Sequence, residues 1–391
     1  MADNNWQTDT LANICDSIDY GLTESAKTLP AGPKFLRITD IVNGHIDWAT
    51  VPYCEVAEEE IEKYKIHHGD IVIARTGATT GYSIYVKNPP NAVFASYLVR
   101  YKVKKEFDGQ FVSYFLKSPD YWEYIRGVLG DKSAQPNASA STIAQVKVNY
   151  PSLPEQRAIA EILGVLDDKV ELNRRMNRTL ESMARAVFRE LMKEERGKET
   201  TIGEVVTIVG GSTPSTANSA FWEDGDIHWA TPKDLAPLQS PVLLETNSRI
   251  TELGLQQISS GLLPAGTVLL SSRAPIGYLA ITQIPIAINQ GFIAIKCTDE
   301  VPNYFILNWL KDNMEEIIGR ANGTTFLEIS KSNFRPMKIN VPSPEKMNMF
   351  VETVQPLYQK IVANLKESRT LASLRDSLLP KMMRGEVRVK S

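Results

Sequence analysis

Four histidines, three cysteines, one acidic string and one asparagine-proline string are the parts of this chain whose residue types could do chemistry. A zinc site needs ligands at short, regular spacings, and His45, His67, His68, His228, Cys15, Cys54 and Cys297 show none, so no metal is expected. Metal-assisted cleavage of a phosphodiester needs clustered acids and a lysine. Asp167-Asp168-Lys169 has that composition, but it straddles an apolar ladder between Leu166 and Val170 and reads as a solvated helix face. Methyl transfer to a base amine would need an Asn-Pro-Pro-aromatic string and a glycine-rich cofactor loop. Asn88-Pro89-Pro90 is followed by Asn91, with no G-x-G loop before it, and a turn between strands is the better reading. There is no GxxxxGK(S/T) loop for a nucleotide triphosphate. The expectation is a chain with no catalytic residues.

The elements that would position any site are those of a globular protein. At 391 residues, with 43% hydrophobic and 23% charged residues, the chain suits two or three domains with their own cores. Cysteines far apart in sequence fit a reducing compartment. The polar start MADNNWQTDT and the lack of any apolar run near ~20 residues point to a cytoplasmic protein outside the membrane.

Two apolar ladders organise the chain. The first runs Ile159, Leu163, Leu166, Val170, Asn173, Asn177, Leu180, Ala184, Val187, Leu191. The second runs Phe350, Val354, Leu357, Ile361, Asn364, Ser368, Leu371, Arg375, Leu378, Met382, and each rung lies 191 residues beyond its partner. Steps alternating three and four are those of a helix seam, and polar residues within a seam help to set register. Ser152 with Glu155 has capping-box spacing, while Ser343-Pro344 puts a proline in a first turn. Pro356 is expected to kink or divide the second helix. Matched ladders over five turns long predict two helices packed antiparallel about a pseudo-twofold axis.

The segments before the helices repeat as well. GDIVIARTGATTG (69–81) is similar to AGTVLLSSRAPIG (265–277), and YFLKSPDYWEYIRG (114–127) to FILNWLKDNMEEIIG (305–319). Each of the latter pair leads into a polar loop, GDKSAQPNASAST (130–142) or GRANGTTFLEIS (319–330). The expected fold class is mixed α/β. One globular domain spans 1–150, a long helix 151–197, a second domain 198–341, and a second helix with a tail 342–391. The stretch KEERGKETT (193–201) would link the halves.

Five segments together carry a family resemblance. They are PSLPEQRAIAEILGVLDDKVELNRRMNRTLESMARAVF, SLLPKMMRGEVRV (377–389), FLRITDIVNGHIDW (35–48), SAQPNASAS (133–141) and GGSTPSTANSAFWEDGDIHWATPKDL (210–235). The chain resembles the specificity subunit of type I restriction-modification systems over nearly its whole length. The resemblance implies a phage-defence protein with two target recognition domains, each reading half of a split double-stranded DNA site. It further implies paired helices that act as spacer and as docking surface for methyltransferase subunits, with two copies expected, and for restriction subunits. S-adenosylmethionine would sit on the methyltransferase, and ATP and Mg on the restriction subunit, with no cofactor on this chain. Adenine at N6 would be the methylated group.

Charge fits that picture only in part. The formal net charge is −3, and both globular segments are mildly acidic, whereas a free-standing DNA binder usually carries a basic excess. The expectation is weak DNA binding alone, with partners supplying much of the phosphate clamp. Base readout rests on a few local groups, because Arg and Lys pair with guanine, Asn and Gln with adenine, and hydroxyls with either. In the first domain the candidates are Lys34, Arg37, Thr39, Arg75, Thr76, Thr79, Thr80, Lys132, Ser133, Gln135 and Asn137. In the second they are Thr213, Ser215, Thr231, Lys233, Ser271, Ser272, Arg273, Arg320, Asn322, Thr324 and Thr325. Trp48 and Trp229, in matching I-x-W-A-T strings, read as scaffold aromatics. FLRITDI and HWATPKDL offer an alternative match between the halves. Exposed helix residues such as Arg174 and Arg178 would dock a partner. Helices of ~40 residues span about 60 Å, enough to hold two readers about one DNA turn, ~34–36 Å, apart. The alternatives are a specificity module of a related defence complex, and a coiled-coil adaptor that binds protein.

Overall fold

The computed structural model describes residues 6–129, 137–195, 197–323 and 327–389. Its chain forms two compact units, one of residues 1–171 with 368–391 and the other of residues 172–367. Each long helix is therefore divided between the two units.

In the first unit the elements are β1 (Gln7–Thr10), α1 (Leu11–Ile14), β2 (Cys15–Tyr20), β3 (Lys34–Leu36), α2 (Glu58–Tyr64), β4 (Ile71–Ala74), β5 (Ser83–Tyr85), β6 (Ala92–Phe94), β7 (Leu98–Val103), α3 (Gly109–Phe115), α4 (Pro119–Leu129), α5 (Ala140–Ala144), β8 (Lys147–Tyr150) and the start of α6 (Leu153–Glu194). β2, β7, β4 and β5 form one sheet in that order, β3 runs parallel to β6, and β1 pairs with β8. The apolar run IVIA of β4 is covered on both faces, which is why it does not alternate with polar residues. Ile71 and Ile73 meet Phe111, Phe115 and Tyr121 of the helical layer. Val72 and Ala74 meet Leu36, Ile66 and Phe94 on the other side.

The second unit repeats this plan. After α6 come β9 (Lys198–Thr201), α7 (Ile202–Val205), β10 (Thr207–Val209), β11 (Ile227–Ala230), α8 (Pro232–Leu235), β12 (Val242–Leu243), β13 (Ser248–Ile250), α9 (Glu252–Leu255), β14 (Val268–Ser272), β15 (Ile276–Thr282), β16 (Ala287–Ile288), β17 (Phe292–Lys296), α10 (Asn303–Asp312), α11 (Met314–Gly319), α12 (Lys331–Phe334), β18 (Lys338–Val341) and α13 (Pro344–Met383). β10, β17, β14 and β15 reproduce the first sheet and β12 extends it. The 191-residue spacing also holds outside the helices. Gln7 faces Tyr150 across β1 and β8, and Lys198 faces Val341 across β9 and β18, each 191 residues further on. Between these frames the loops differ in length, so the spacing lapses and returns.

The helices pair antiparallel within each unit. In the first, Arg375 Nη1 donates to Asp167 Oδ1 at 2.5 Å, and Tyr114 donates to the other oxygen at 2.8 Å. Asp167 is thus a half-buried tether and not part of a solvated face, whereas Asp168 is exposed and pairs with Lys87 at 2.6 Å. In the second unit Asn364 Nδ2 donates to Asn177 Oδ1 at 2.8 Å, and Lys346 pairs with Glu194 at 3.0 Å. The ladder residues Leu163, Asn173, Asn177, Val354, Ile361 and Asn364 are buried, and Leu166, Val170, Leu180, Leu357, Ser368 and Leu371 are half-buried. Ionic and amide pairs that match in only one alignment hold the register.

Three local expectations change. α13 is not divided at Pro356, which lies on an exposed side, where water can take the carbonyl that proline leaves without a donor. Glu155 accepts from Arg388 of the folded-back tail through both oxygens, at 2.6 and 3.0 Å, because the tail offers a guanidinium. Arg174 and Arg178 are half-buried, and the cover on Arg174 reaches a nitrogen of its guanidinium.

Candidate nucleic-acid interface

The sequence candidates gather where strands end. β3 and β6 run in the same direction, and past their last residues Ala95 N–H donates to Leu36 C=O at 2.9 Å. In the second unit Asn289 N–H does the same to Ala230 C=O at 3.0 Å. The next residue is Arg37 in one unit and Thr231 in the other, and each opens a capped turn. Arg37 N–H donates to Asp40 at 2.8 Å, and Thr231 N–H to Asp234 at 2.7 Å. FLRITDI therefore corresponds to HWATPKDL, and the I-x-W-A-T strings do not correspond. Trp229 is buried in β11 against Trp222, while Trp48 lies half-buried in a turn.

A second edge lies beside the first. Arg75 N–H donates to Tyr97 C=O at 3.1 Å, and Ala138 N–H to Arg75 C=O at 3.0 Å. The counterparts are Ser272 N–H to Gly291 C=O at 2.8 Å and Ile329 N–H to Ser272 C=O at 3.0 Å. Thr76 bridges Asn137 as Arg273 bridges Glu328. Glycines let the backbone pass closely. A Cβ on Gly21 would stand 2.3 Å from the Ala95 oxygen, and one on Gly211 1.9 Å from that of Ile288.

Identical backbone bonding thus presents different side chains. In the first unit the Arg75 guanidinium donates to Ser96 C=O at 3.1 Å and lies 5.0 Å from the centre of the Tyr20 ring. Tyr20 and Tyr97 are 48% and 59% exposed. Thr39 and Asn137 are exposed, and Thr76 and Thr79 are half-buried. Arg37 forks onto Asp40 with two bonds of 3.0 Å. Lys34 is pinned to Val51 C=O at 2.7 Å over the Tyr53 ring, which makes it scaffold.

In the second unit Thr213 donates to Gln290 at 2.6 Å, with both side chains exposed. Arg273 lies 3.5 Å from Glu328, and Arg320, just past the end of α11, pairs with Glu316 of that helix. Ser215, Lys233 and Asn322 are exposed, whereas the Thr231 hydroxyl serves its turn by donating to Asp234 at 2.9 Å.

Three candidates point inward. Thr80, Ser271 and Ser272 are 3%, 0% and 3% exposed. The Thr80 hydroxyl donates to Gly77 C=O, while that of Ser271 donates to Pro275 C=O and accepts from Tyr278 N–H. Buried hydroxyls need such partners, and with them Thr80 and Ser271 close the turns after β4 and β14. Lys132, Ser133, Gln135, Thr324 and Thr325 lie outside the described residues. Sequence reasoning missed Tyr20, Tyr97 and Gln290. The signal for the last two was a turn string, ASY or NQG, just before a strand that opens with four buried residues.

Burial pushes the Cys15 thiol up to about 12, so it is no nucleophile. Burial, then Arg249, pulls the His228 imidazole below its ordinary range. Among the described residues no group of three His, Cys, Asp or Glu could hold a metal, and no helix is long and apolar enough to cross a membrane.

A family model described as the type I restriction modification DNA specificity domain matches residues 3–182 and again 195–370. The chain belongs to that family. Members supply the DNA specificity of a restriction-modification system and not its catalysis. The chain is 27% identical over 345 residues to the type I restriction enzyme MjaIX specificity subunit of Methanocaldococcus jannaschii, covering 82% of this chain and 78% of that one. It is 22% identical to the HindI specificity subunit of Haemophilus influenzae, over 90% and 94% of the two chains. The crystal structure of the type I restriction-modification S subunit from M. genitalium shares the fold, with a TM-score of 0.58 at 19% identity, over 98% and 97% of the chains.

Proposed function

We propose that this chain reads a split, asymmetric DNA site, with one half read at the strand-end rim of each unit. The observation that carries the reading is the pair of rims. They share one set of backbone bonds but present Tyr20, Arg75, Thr76, Tyr97 and Asn137 in one unit, and Thr213, Gln290, Arg273, Asn322 and Glu328 in the other. Like placement gives like access to base edges, and unlike side chains select unlike bases. Fusing two different readers frees the half-sites from the palindrome that a homodimer imposes.

Residues 1–150 and 198–341 are the two target recognition domains in this reading. The long helices are the docking surface for methyltransferase and restriction subunits. Exposed Val165, Leu172 and Met183 of α6, with Met349 and Leu374 of α13, are apolar groups that a partner would cover. The methyl donor, ATP and Mg belong to those partners.

The test is co-expression with the methyltransferase subunit of the same system, followed by genome-wide mapping of methylated bases. A split motif with a constant unread gap is expected. Exchange of residues 1–150 for the matching domain of another family member should alter one half only. If both halves change, or a stable complex yields no motif, the reading fails and a protein adaptor takes its place.

A further inference from the structure

We infer that Gln290 selects an adenine in the half-site of the second unit, and that Thr213 is the positioning residue for its amide. The inference rests on the DNA-reading function proposed above and adds the residue and the base.

Gln290 stands at the tip of the turn between β16 and β17, and the backbone on both sides of it is tied down. Asn289 N–H donates to Ala230 C=O at 3.0 Å, Gly291 N–H to Asn289 Oδ1 at 2.9 Å, and Ser272 N–H to Gly291 C=O at 2.8 Å. Gly291 itself has no room for a side chain, since a Cβ there would stand 2.9 Å from the Pro232 ring. The segment bearing Thr213 is held as firmly. Ser212 donates through N–H to Ile288 C=O and through its hydroxyl to Gln257 C=O, both at 3.1 Å, and its own C=O accepts from the Trp229 indole at 3.3 Å.

Two side chains on these fixed loops then meet at 2.6 Å while both remain exposed. An exposed bond of this kind competes with water and adds little to folding. Ordering a long glutamine side chain opposes folding. Fixing it in advance instead favours a ligand that needs that orientation. With one lone pair of Oε1 taken by the threonine hydroxyl, the amide keeps a second lone pair and both Nε2 hydrogens. Oε1 can accept from adenine N6–H while Nε2 donates to N7, the bidentate pairing that glutamine makes with adenine in the major groove. In the first unit the backbone bonds place Ser96 at the counterpart of Gln290, so the preference belongs to one half-site.

The experiment maps methylation by the complete complex for the unaltered chain, Gln290→Ala, Gln290→Glu and Thr213→Val. Gln290→Ala should cut discrimination at one adenine position of the second half-site by roughly tenfold to a hundredfold, leaving the first half-site strict as proof of folding and docking. Gln290→Glu, an acceptor only, should disfavour adenine there and favour cytosine. Thr213→Val should relax the same position to a smaller degree. An unchanged Gln290→Ala motif, relaxation spread over both half-sites, or methylation lost everywhere in an assembled complex would each overturn the assignment. Absence of any motif from the unaltered chain would sink the DNA-reading function itself, a separate outcome.

Discussion

Replacing Asn177 by alanine should destabilise the second unit more than replacing Asn364, although both sit in one layer between the helices and lose the same atoms. The two are 2% and 0% exposed, and Asn364 Nδ2 donates to Asn177 Oδ1 at 2.8 Å. Asn364 Oδ1 is buried with no hydrogen-bond partner among the described residues. Removing Asn177 therefore leaves a buried amide unpaired at both ends. Removing Asn364 merely exchanges one orphaned oxygen, its own, for that of Asn177. Truncation and cavity contributions are alike in the two variants and cancel to first order. What remains is the cost of one newly unpaired buried donor, about 1–3 kcal/mol. At about 2–4 °C per kcal/mol for a unit of this size, a 2 kcal/mol difference puts Asn177→Ala about 4–8 °C below Asn364→Ala. The double variant leaves neither amide behind and should cost less than the sum of the two. Scanning calorimetry of the full chain reads all three. If Asn364→Ala melts at or below Asn177→Ala, the pairing of these amides has been misread.

Two further outcomes follow from Ser271 of β14 and from Asp312, which ends α10 and pairs with Arg185 and Arg189 of α6. Ser271→Ala should cost about 1–3 kcal/mol by urea unfolding, because Tyr278 N–H loses its buried acceptor. The methylation target should stay the same, and a shifted target would show that this hydroxyl reaches DNA after all. Asp312 supplies a pH dependence. Burial pushes its carboxyl up, but hydrogen bonds from Arg189 and Arg185 outweigh burial and hold it below its ordinary value. A depressed carboxylate contributes stability above its unfolded pKa and loses it as pH falls through the folded value. Urea midpoints between about pH 5 and about pH 2 should thus fall more steeply for the unaltered chain than for Asp312→Asn. Parallel slopes would count against the ion pairs.

The helices were legible because periodicity is a one-dimensional record of which face is covered. A ladder repeated at 191 residues, with polar rungs in matching places, has few solutions besides two helices laid against each other in a duplicated chain. The family was legible for a related reason, since the helix and tail strings are long and specific. The rims were legible only as neighbourhoods. Thr80, Ser271 and Ser272 have the composition of base-reading hydroxyls, yet all three are buried, and Gly77, Pro275 and Tyr278 hold the hydroxyls of Thr80 and Ser271 inside.

By itself, then, the sequence determined the duplicated plan, the paired helices and the absence of catalytic strings, all properties that spacing and residue type can encode. The tertiary structure decided the rest. It set the true correspondence of Arg37 with Thr231, turned Asp167 into a tether, and brought Tyr20 to Arg75 and Thr213 to Gln290. Thr213 and Gln290 are 77 residues apart in the chain. Which of two exposed polar residues will meet depends on where two loops are anchored, and those anchors are backbone hydrogen bonds that every residue but proline can make. Backbone bonding carries no side-chain signature, so only the folded chain reveals which side chains it brings together.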